Sequence, residues 1–362
     1  MTVLLMIGTA KGLFLARRDR VGDAWQISVP HFPMTAVYAV GIDQRDGATP
    51  RLLAGIDSSH FGPSVAVSDD LGGCWREPEE APVAFPKDTE TTLTRVWALQ
   101  PGPASEPGVV WAGSQPSALF RSTNGGSSFE LVRALWDHPH RPQWGAGFGG
   151  QAIHTILPHP TDPQRVVVAM STGGVYRTTD GGATWAPGNT GIKAYFMPDQ
   201  FPEFGQCVHK VTRDAGDPER LYAQNHHGVY RSDDDGQTWQ SIADGLPSDF
   251  GFPIVAHPRR PGTIWNFPLQ ADSSRFPVDN KCQVFRSDDA GKTWQAQSYG
   301  LPTAPFYATV LRDAMCVDNA DPVGVYFGSR TGEVFASADE GESWAQVAAH
   351  LPDVLCLRAV AL

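Results

Sequence analysis

Ser232-Asp-Asp-Asp-Gly-Gln-Thr-Trp239 is the stretch on which the reading of this chain turns. It follows Gly228-Val-Tyr-Arg231, whose alternation has the period of a strand. Asp234 and, two residues later, Gly236 then reverse the chain. The carboxylate accepts backbone N–H bonds, and the glycine takes the left-handed conformation. Trp239 opens the returning strand and offers its ring to a neighbouring sheet. The phrase is a β-hairpin.

The same phrase recurs as Ser68–Trp75, Ser122–Phe129, Thr178–Trp185, Ser287–Trp294 and Ser337–Trp344. A degenerate copy, Gly12-Leu-Phe-Leu-Ala-Arg through Gly22-Asp-Ala-Trp25, keeps the flanks and loses the turn. The closing aromatics stand at 25, 75, 129, 185, 239, 294 and 344, so units of about 50 residues cover the chain. The pattern S/T-x-D-x-G-x-T/S-W resembles the Asp-box, and the chain looks like the BNR/Asp-box repeat propellers. Those include sialidases, xyloglucanase propellers and sortilin-type receptors. More narrowly it resembles bacterial, cytoplasmic BNR-repeat proteins that carry a sialidase-like label. The resemblance implies a structural role for the boxes and leaves function open, because such propellers include enzymes and binding proteins.

Upstream of each hairpin lie two further strands, as in Ile153-His-Thr-Ile-Leu-Pro158 and Arg165-Val-Val-Val-Ala-Met170, with a Thr161-Asp-Pro turn between. Four strands per unit and seven units predict an all-β, seven-bladed β-propeller spanning 1–362 as one domain. Thr2–Gly8 reads as a second strand and Leu355–Leu362 as a first strand. Residues 2–27 and 355–362 are therefore expected to share one blade and close the ring.

Composition agrees. The 37 glycines and 30 prolines in 362 residues exceed the usual combined share of about 12% and are spread evenly, which excludes long helices. Eighteen Phe, 11 Trp and 8 Tyr fill a large core and exclude disorder. A net charge of −11 without a basic stripe argues against nucleic acid. The early apolar run Val3–Ile7 is too short for a signal peptide or a membrane span. Five cysteines without CxxC spacing fit reduced thiols, and the expected location is cytoplasmic. Oligomeric state is not legible.

Functional candidates follow from the repeat. Aligning units places His154 and His209 in one column of the innermost strands, with Tyr38, Arg95, Phe252 and Asp313 in equivalent positions and Arg312 beside the last. Loops opening on the same side carry His60, the pair His226-His227, and Asp272 with Arg275 in the long segment 268–281. Two overlong connections, 133–151 and 193–206, carry Trp136, Trp144, Phe148, Tyr195, Phe196, Phe201 and Phe204, and each ends in Gly-Gln (Gln151, Gln206). Aromatic loops over a polar mouth suggest a lidded small-molecule pocket; the plainer alternative is packing between blades.

The candidate catalytic residues are His154, His209, Glu203 and Asp272. Candidate substrate contacts are Arg95, Arg275, Arg312, Gln151, Gln206, His60 and Trp144, whose arginines favour an anionic group. A divalent ion (Zn, Mn, Fe or Ni) could take His154, His209, His226 and His227, with Glu203 as a carboxylate ligand. A glycosidase would need two carboxylates, from Glu203, Asp272 and Asp313. A true sialidase is disfavoured, because no Tyr–Glu nucleophile is identifiable. The expected function is a hydrolase or lyase on a small anionic or carbohydrate-like substrate, metal-assisted or not; the alternative is a non-catalytic propeller that binds a ligand or protein. Removing His154 and His209 together is expected to abolish activity or binding at little cost in stability.

Overall fold

Each box is a hydrogen-bond clip. In the Ser232–Trp239 copy, Gly236 N–H donates to Ser232 Oγ at 2.9 Å, and that hydroxyl donates to Asp234 Oδ1 at 2.7 Å. Thr238 N–H reaches the same Oδ1 at 2.9 Å and its hydroxyl reaches Oδ2 at 2.6 Å. The five other full copies repeat the hydroxyl-to-carboxyl, glycine-amide and fourth-residue bonds, with Asn124 standing in for the aspartate in one. These donors hold Asp180 down to about 2, those of Thr184 contributing most. Gly236 (φ 84°) follows Asp235 (φ 57°), so two successive residues are left-handed, as tight hairpins require.

The structure, a computed structural model, describes residues 1–45, 47, 49–76, 80–146 and 150–362. The chain is an all-β, seven-bladed β-propeller whose sheets are antiparallel meanders. Two compact units organise it: residues 1–34, 189–202 and 208–362 form the first, residues 35–188 and 203–207 the second.

Four sheets lie in the first unit. One orders Val354–Ala361, Val3–Thr9, Gly12–Arg18 and Gln26–Ile27, so the last strand pairs with the first as expected from the termini. The others run Val208–Arg213 to Gln240–Ser241, Phe250–Ala256 to Gln295–Gln297, and Met315–Val317 to Ala345–Ala348. The second unit holds two four-stranded sheets, Arg95–Pro101 to Glu130–Leu131 and Ile153–Pro158 to Ala186–Pro187. Its third sheet has three strands, Ala39–Asp43, Arg51–Ser58 and Gly62–Ser68, and a bridge from Val67 to Arg76 stands where the fourth would pair. Among the described residues no helix is long and apolar enough to cross a membrane.

The first unit's core runs through Leu5, Ile7, Trp265, Phe267, Tyr326, Phe327 and Trp344. Of the seven closing aromatics, Phe129, Trp185, Trp239 and Trp344 are buried, the packing role expected of them, whereas Trp25, Trp75 and Trp294 are half-buried. A second column pins the opposite ends of the innermost strands. Asp214 Oδ1 accepts Gly216 and Asp217 N–H, Asp318 Oδ1 accepts Ala320 and Gly324 N–H, and His257 Nδ1 accepts Arg259 and Arg260 N–H. His159 Nδ1 does the same for Thr161 and Asp162 in the second unit.

Three predictions follow from this packing. Deleting Leu355–Leu362 strips the pairing partner from Val3–Thr9 and should abolish cooperative thermal unfolding; a soluble, cooperatively melting truncation would refute the shared blade. Trp239→Ala should cost about 3–5 kcal/mol in denaturant melts, the usual cost of deleting a large buried aromatic. An unchanged midpoint would mean its ring is not packed. His257 is buried, and burial holds its pKa below 6.5 against the opposing pull of Glu340, its Nε2 partner at 3.4 Å. The unfolded chain therefore binds the extra proton first, so this contribution is present above pH 6.5 and is lost as pH falls below it. His257→Asn, which keeps an acceptor and cannot titrate, should flatten the loss of stability between about pH 7 and pH 5; an unaltered slope would contradict it.

Candidate functional site

The inner strands carry β-bulges. Register shifts fall between Val208 and Lys210 and between Ile153 and Thr155, so His209 and His154 are both the extra, unpaired residue of a bulge. The equivalent shift in the sheet of Arg95–Pro101 falls between Val96 and Ala98. Trp97, and not Arg95, therefore shares the histidines' register, because the repeat alignment had no means of counting bulge residues. A bulge re-aims its side chain, and both imidazoles turn inward: His154 is 1% and His209 3% exposed. The expectation that their loss leaves stability nearly intact is corrected by this burial.

Around His209 the first unit gathers most of the charged candidates. His209 Nδ1 lies 2.6 Å from Gly251 O, so Nδ1–H donates and the lone pair sits on Nε2. The ring stacks on Phe252 at 4.6 Å and meets the His226 ring edge-on at 5.4 Å. Burial, and then the positive charge of Arg312, hold its pKa well below 6.5, so the ring is neutral at pH 7.

His226 stands on the turn after strand Leu221–Asn225. Asn225 fixes that turn, donating its side-chain N–H to Lys193 O and His227 O at 2.9 and 3.2 Å. His226 Nε2 faces Asp272 Oδ2 at 3.3 Å, which leaves its lone pair on Nδ1. Burial lowers its pKa more than Asp272 raises it, so it too is neutral near pH 7. The bond to His226 in turn keeps the Asp272 carboxyl below the usual range. Segment 268–281 presents Asp272 through a small hairpin, with Gln270 N–H on Phe276 O and a bridge between Ala271 and Ser274. Arg275 Nε–H donates to Asp272 O at 3.0 Å, and its guanidinium lies 5.5 Å from the Phe252 ring centre.

Aromatic rings edge this cluster. Phe250 is 5.3 Å and Phe196 6.2 Å from His226, and Tyr195 is 5.0 Å from His227. Tyr195, Phe196 and Phe201 are about half exposed. One ring nitrogen of His209 and one of His226 lie within 4.8 Å of each other. Two neutral imidazoles, one backed by a carboxylate, form a donor pair that borderline divalent ions accept.

The remaining candidates belong to the second unit. His154 Nδ1 is 3.1 Å from Thr155 Oγ1. Arg95 lies over the Tyr38 and Trp97 rings at 3.9 and 5.6 Å. Gln151 Nε2 donates to Trp144 O at 2.7 Å, Gln206 is buried, and His60 and Glu203 are exposed. Trp144 is buried and donates to Tyr176 OH at 2.9 Å, beside His138 and His140. In segment 133–146, Trp136 and Trp144 thus pack inward, as an inter-strand plug would, whereas the aromatics of 193–202 face solvent. Phe148 lies outside the described residues.

Sequence reasoning missed Lys210 and Arg358. Both donate to Asp313 Oδ1, at 2.6 and 3.1 Å. The available signal was a lysine beside His209 and an arginine within the apolar closing strand.

The family model described as BNR/Asp-box repeat matches residues 285–296. A xyloglucanase from Paenibacillus sp is 24% identical over 284 residues, covering 67% of this chain and 26% of that protein, so the chain spans about a quarter of that relative. Among solved structures, an ancestral GH74 enzyme is similar at a TM-score of 0.56 with 18% identity, over 86% of this chain and 38% of that one. YCF48 bound to D1 peptide is similar at 0.53 with 15% identity, over 86% and 81% of the two chains. YCF48 from Cyanidioschyzon merolae gives 0.52 with 16% identity, over 90% and 88%. These structural likenesses show the fold.

Proposed function

We propose that this BNR/Asp-box repeat β-propeller is an enzyme acting on an anionic carbohydrate, with its chemistry at His209, His226, Asp272 and Arg275. The observation that carries the reading is the His226–Asp272 pair at 3.3 Å, a neutral imidazole oriented by a carboxylate beside a guanidinium. The xyloglucanase relative supports a carbohydrate as the substrate class.

Hydrolysis of a glycosidic bond needs two cooperating carboxylates. Of the three expected, Asp272 belongs to the cluster, Asp313 is tied to Lys210 and Arg358, and Glu203 belongs to the second unit. A base beside a cation fits elimination better. Arg275 holds a uronate carboxylate, and His226 Nδ1 removes the proton from the carbon next to it. The electron pair forms a carbon–carbon double bond as the glycosidic C–O bond breaks. The departing oxygen takes a proton from the imidazolium or from water.

A divalent ion (Zn, Mn, Fe or Ni) would instead take the lone pairs of His209 Nε2 and His226 Nδ1 and supply positive charge opposite the substrate carboxylate. Metal content of the purified protein decides between these roles for the imidazoles. The reading includes a cytoplasmic location, supported by five scattered cysteines without CxxC spacing. A non-catalytic binding propeller is the second reading. It is favoured by the half-exposed Tyr195, Phe196 and Phe201 and by the likeness to YCF48 over most of both chains.

The test is ultraviolet detection of unsaturated products from uronate-containing oligosaccharides. His226→Ala should lower turnover by about 10²-fold or more, the scale of a lost general base. Saturable sugar binding without turnover in the unmodified protein would overturn the enzyme reading in favour of the binding one.

A further inference from the structure

One blade gives up the clip that the full boxes keep. Aligned on the closing aromatics Trp25 and Trp239, the degenerate copy puts Arg18 where Ser232 stands and Arg20 where Asp234 stands. The pairing register agrees: Arg18 ends strand Gly12–Arg18 opposite Val3, as Ser232 ends strand Val229–Ser232 opposite Leu221. Gly22 keeps the left-handed turn, with φ 94°. The clip's hydroxyl and carboxylate are thus gone, and a cation takes the hydroxyl's place.

That cation is enclosed. Arg18 is 8% exposed, and its guanidinium lies over the half-buried Trp25 ring, 4.7 Å from the centre. Among the described residues its side chain has no hydrogen-bond or ion-pair partner. Asp19, next in the chain, accepts instead from Arg17 and Thr2, at 3.1 and 3.2 Å. The Tyr326 hydroxyl, which feels the Arg18 charge, donates to Asp318 at 2.7 Å. Arg18 lines a cavity of about 460 Å³ within the first unit, shared by the degenerate hairpin and the Ser337–Trp344 hairpin. Trp25, Val21, Ala336 and Val347 give the cavity apolar walls, and Asp23 also lines it.

An enclosed guanidinium without an acceptor is costly. A contact over the ring leaves its N–H edge for a carboxylate, which accepts two such bonds in one plane. The volume suits a small molecule, and Asp23 repels a second negative charge. We propose that this cavity binds a small organic acid with one carboxylate and an apolar body. Arg18 holds the carboxylate, and Trp25, Val21, Ala336 and Val347 receive the body. The site shares no residue with the His226–Asp272 cluster and stands without the elimination reading.

The test is calorimetric titration of the full chain with benzoate, against chloride of matched ionic strength, with benzamide and acetate as second and third arms. One saturable benzoate site is expected. Benzamide, without the charge, should bind at least about tenfold more weakly, the scale of a lost charged hydrogen bond. Acetate, without the body, should also bind more weakly. Absence of saturable benzoate binding, or benzamide or acetate binding as tightly, overturns the proposal. Arg18→Met, which keeps the bulk and loses the charge, should weaken benzoate binding by about tenfold or more. Val21 is exposed, so Val21→Glu leaves the core intact while putting a negative charge at the cavity, and it should weaken binding severalfold. Arg275→Met, impaired under the elimination reading, should bind benzoate as tightly as the unmodified chain. Benzoate binding that survives in Arg18→Met and Val21→Glu, or vanishes in Arg275→Met, would overturn the site, whatever becomes of the enzyme reading.

Discussion

A hydroxyl, a carboxyl and a left-handed glycine hold the structure's hairpins. The hydroxyl at the end of the third strand accepts the glycine amide and donates to the carboxyl, which holds the amide four residues on. The clip fixes the turn and so aims the following aromatic into the core, where Trp185, Trp239 and Trp344 are buried. The box carboxylates sit outside the His226 cluster, and their depressed pKa values come from turn hydrogen bonds. Their repetition is thus a packing signal, and function has to be read from the positions where the repeats differ.

Those differences concentrate at the inner strands. A bulge frees one residue from the ladder, and in two blades that residue is a histidine. Identical placement did not give identical surroundings. His209 meets Gly251 O, Phe252 and His226, with Arg312 and Arg275 acting on its charge, whereas His154 bonds Thr155 in the second unit. The loops decide which bulge becomes a candidate site: 225–228 brings His226, and 268–281 brings Asp272 and Arg275.

Seven repeats, the shared terminal blade and the burial of four of the closing aromatics were legible in the sequence, because each rests on local spacing and turn chemistry. The grouping of His226 with Asp272 and Arg275 was legible in part, since loop length marked segment 268–281. Side-chain register across blades was not. A bulge adds a residue without altering the hydrophobic pattern, so Arg95 was aligned with residues two places out of step with it. The acceptor column of Asp214, His257 and Asp318 also escaped, because Asp and His are interchangeable there as acceptors and share no motif. Lys210 and Arg358 were hidden by chain distance: Lys210 meets a carboxylate 103 residues away.

The account stands on the claim that the His209–His226 cluster is where ligand chemistry occurs. The most direct measurement is a crystal structure of the protein soaked with a uronate oligosaccharide. The account predicts a sugar carboxylate hydrogen-bonded to Arg275, with the adjacent carbon within reach of His226 Nδ1. Ordered sugar bound elsewhere, with His226 and Asp272 untouched, would contradict it.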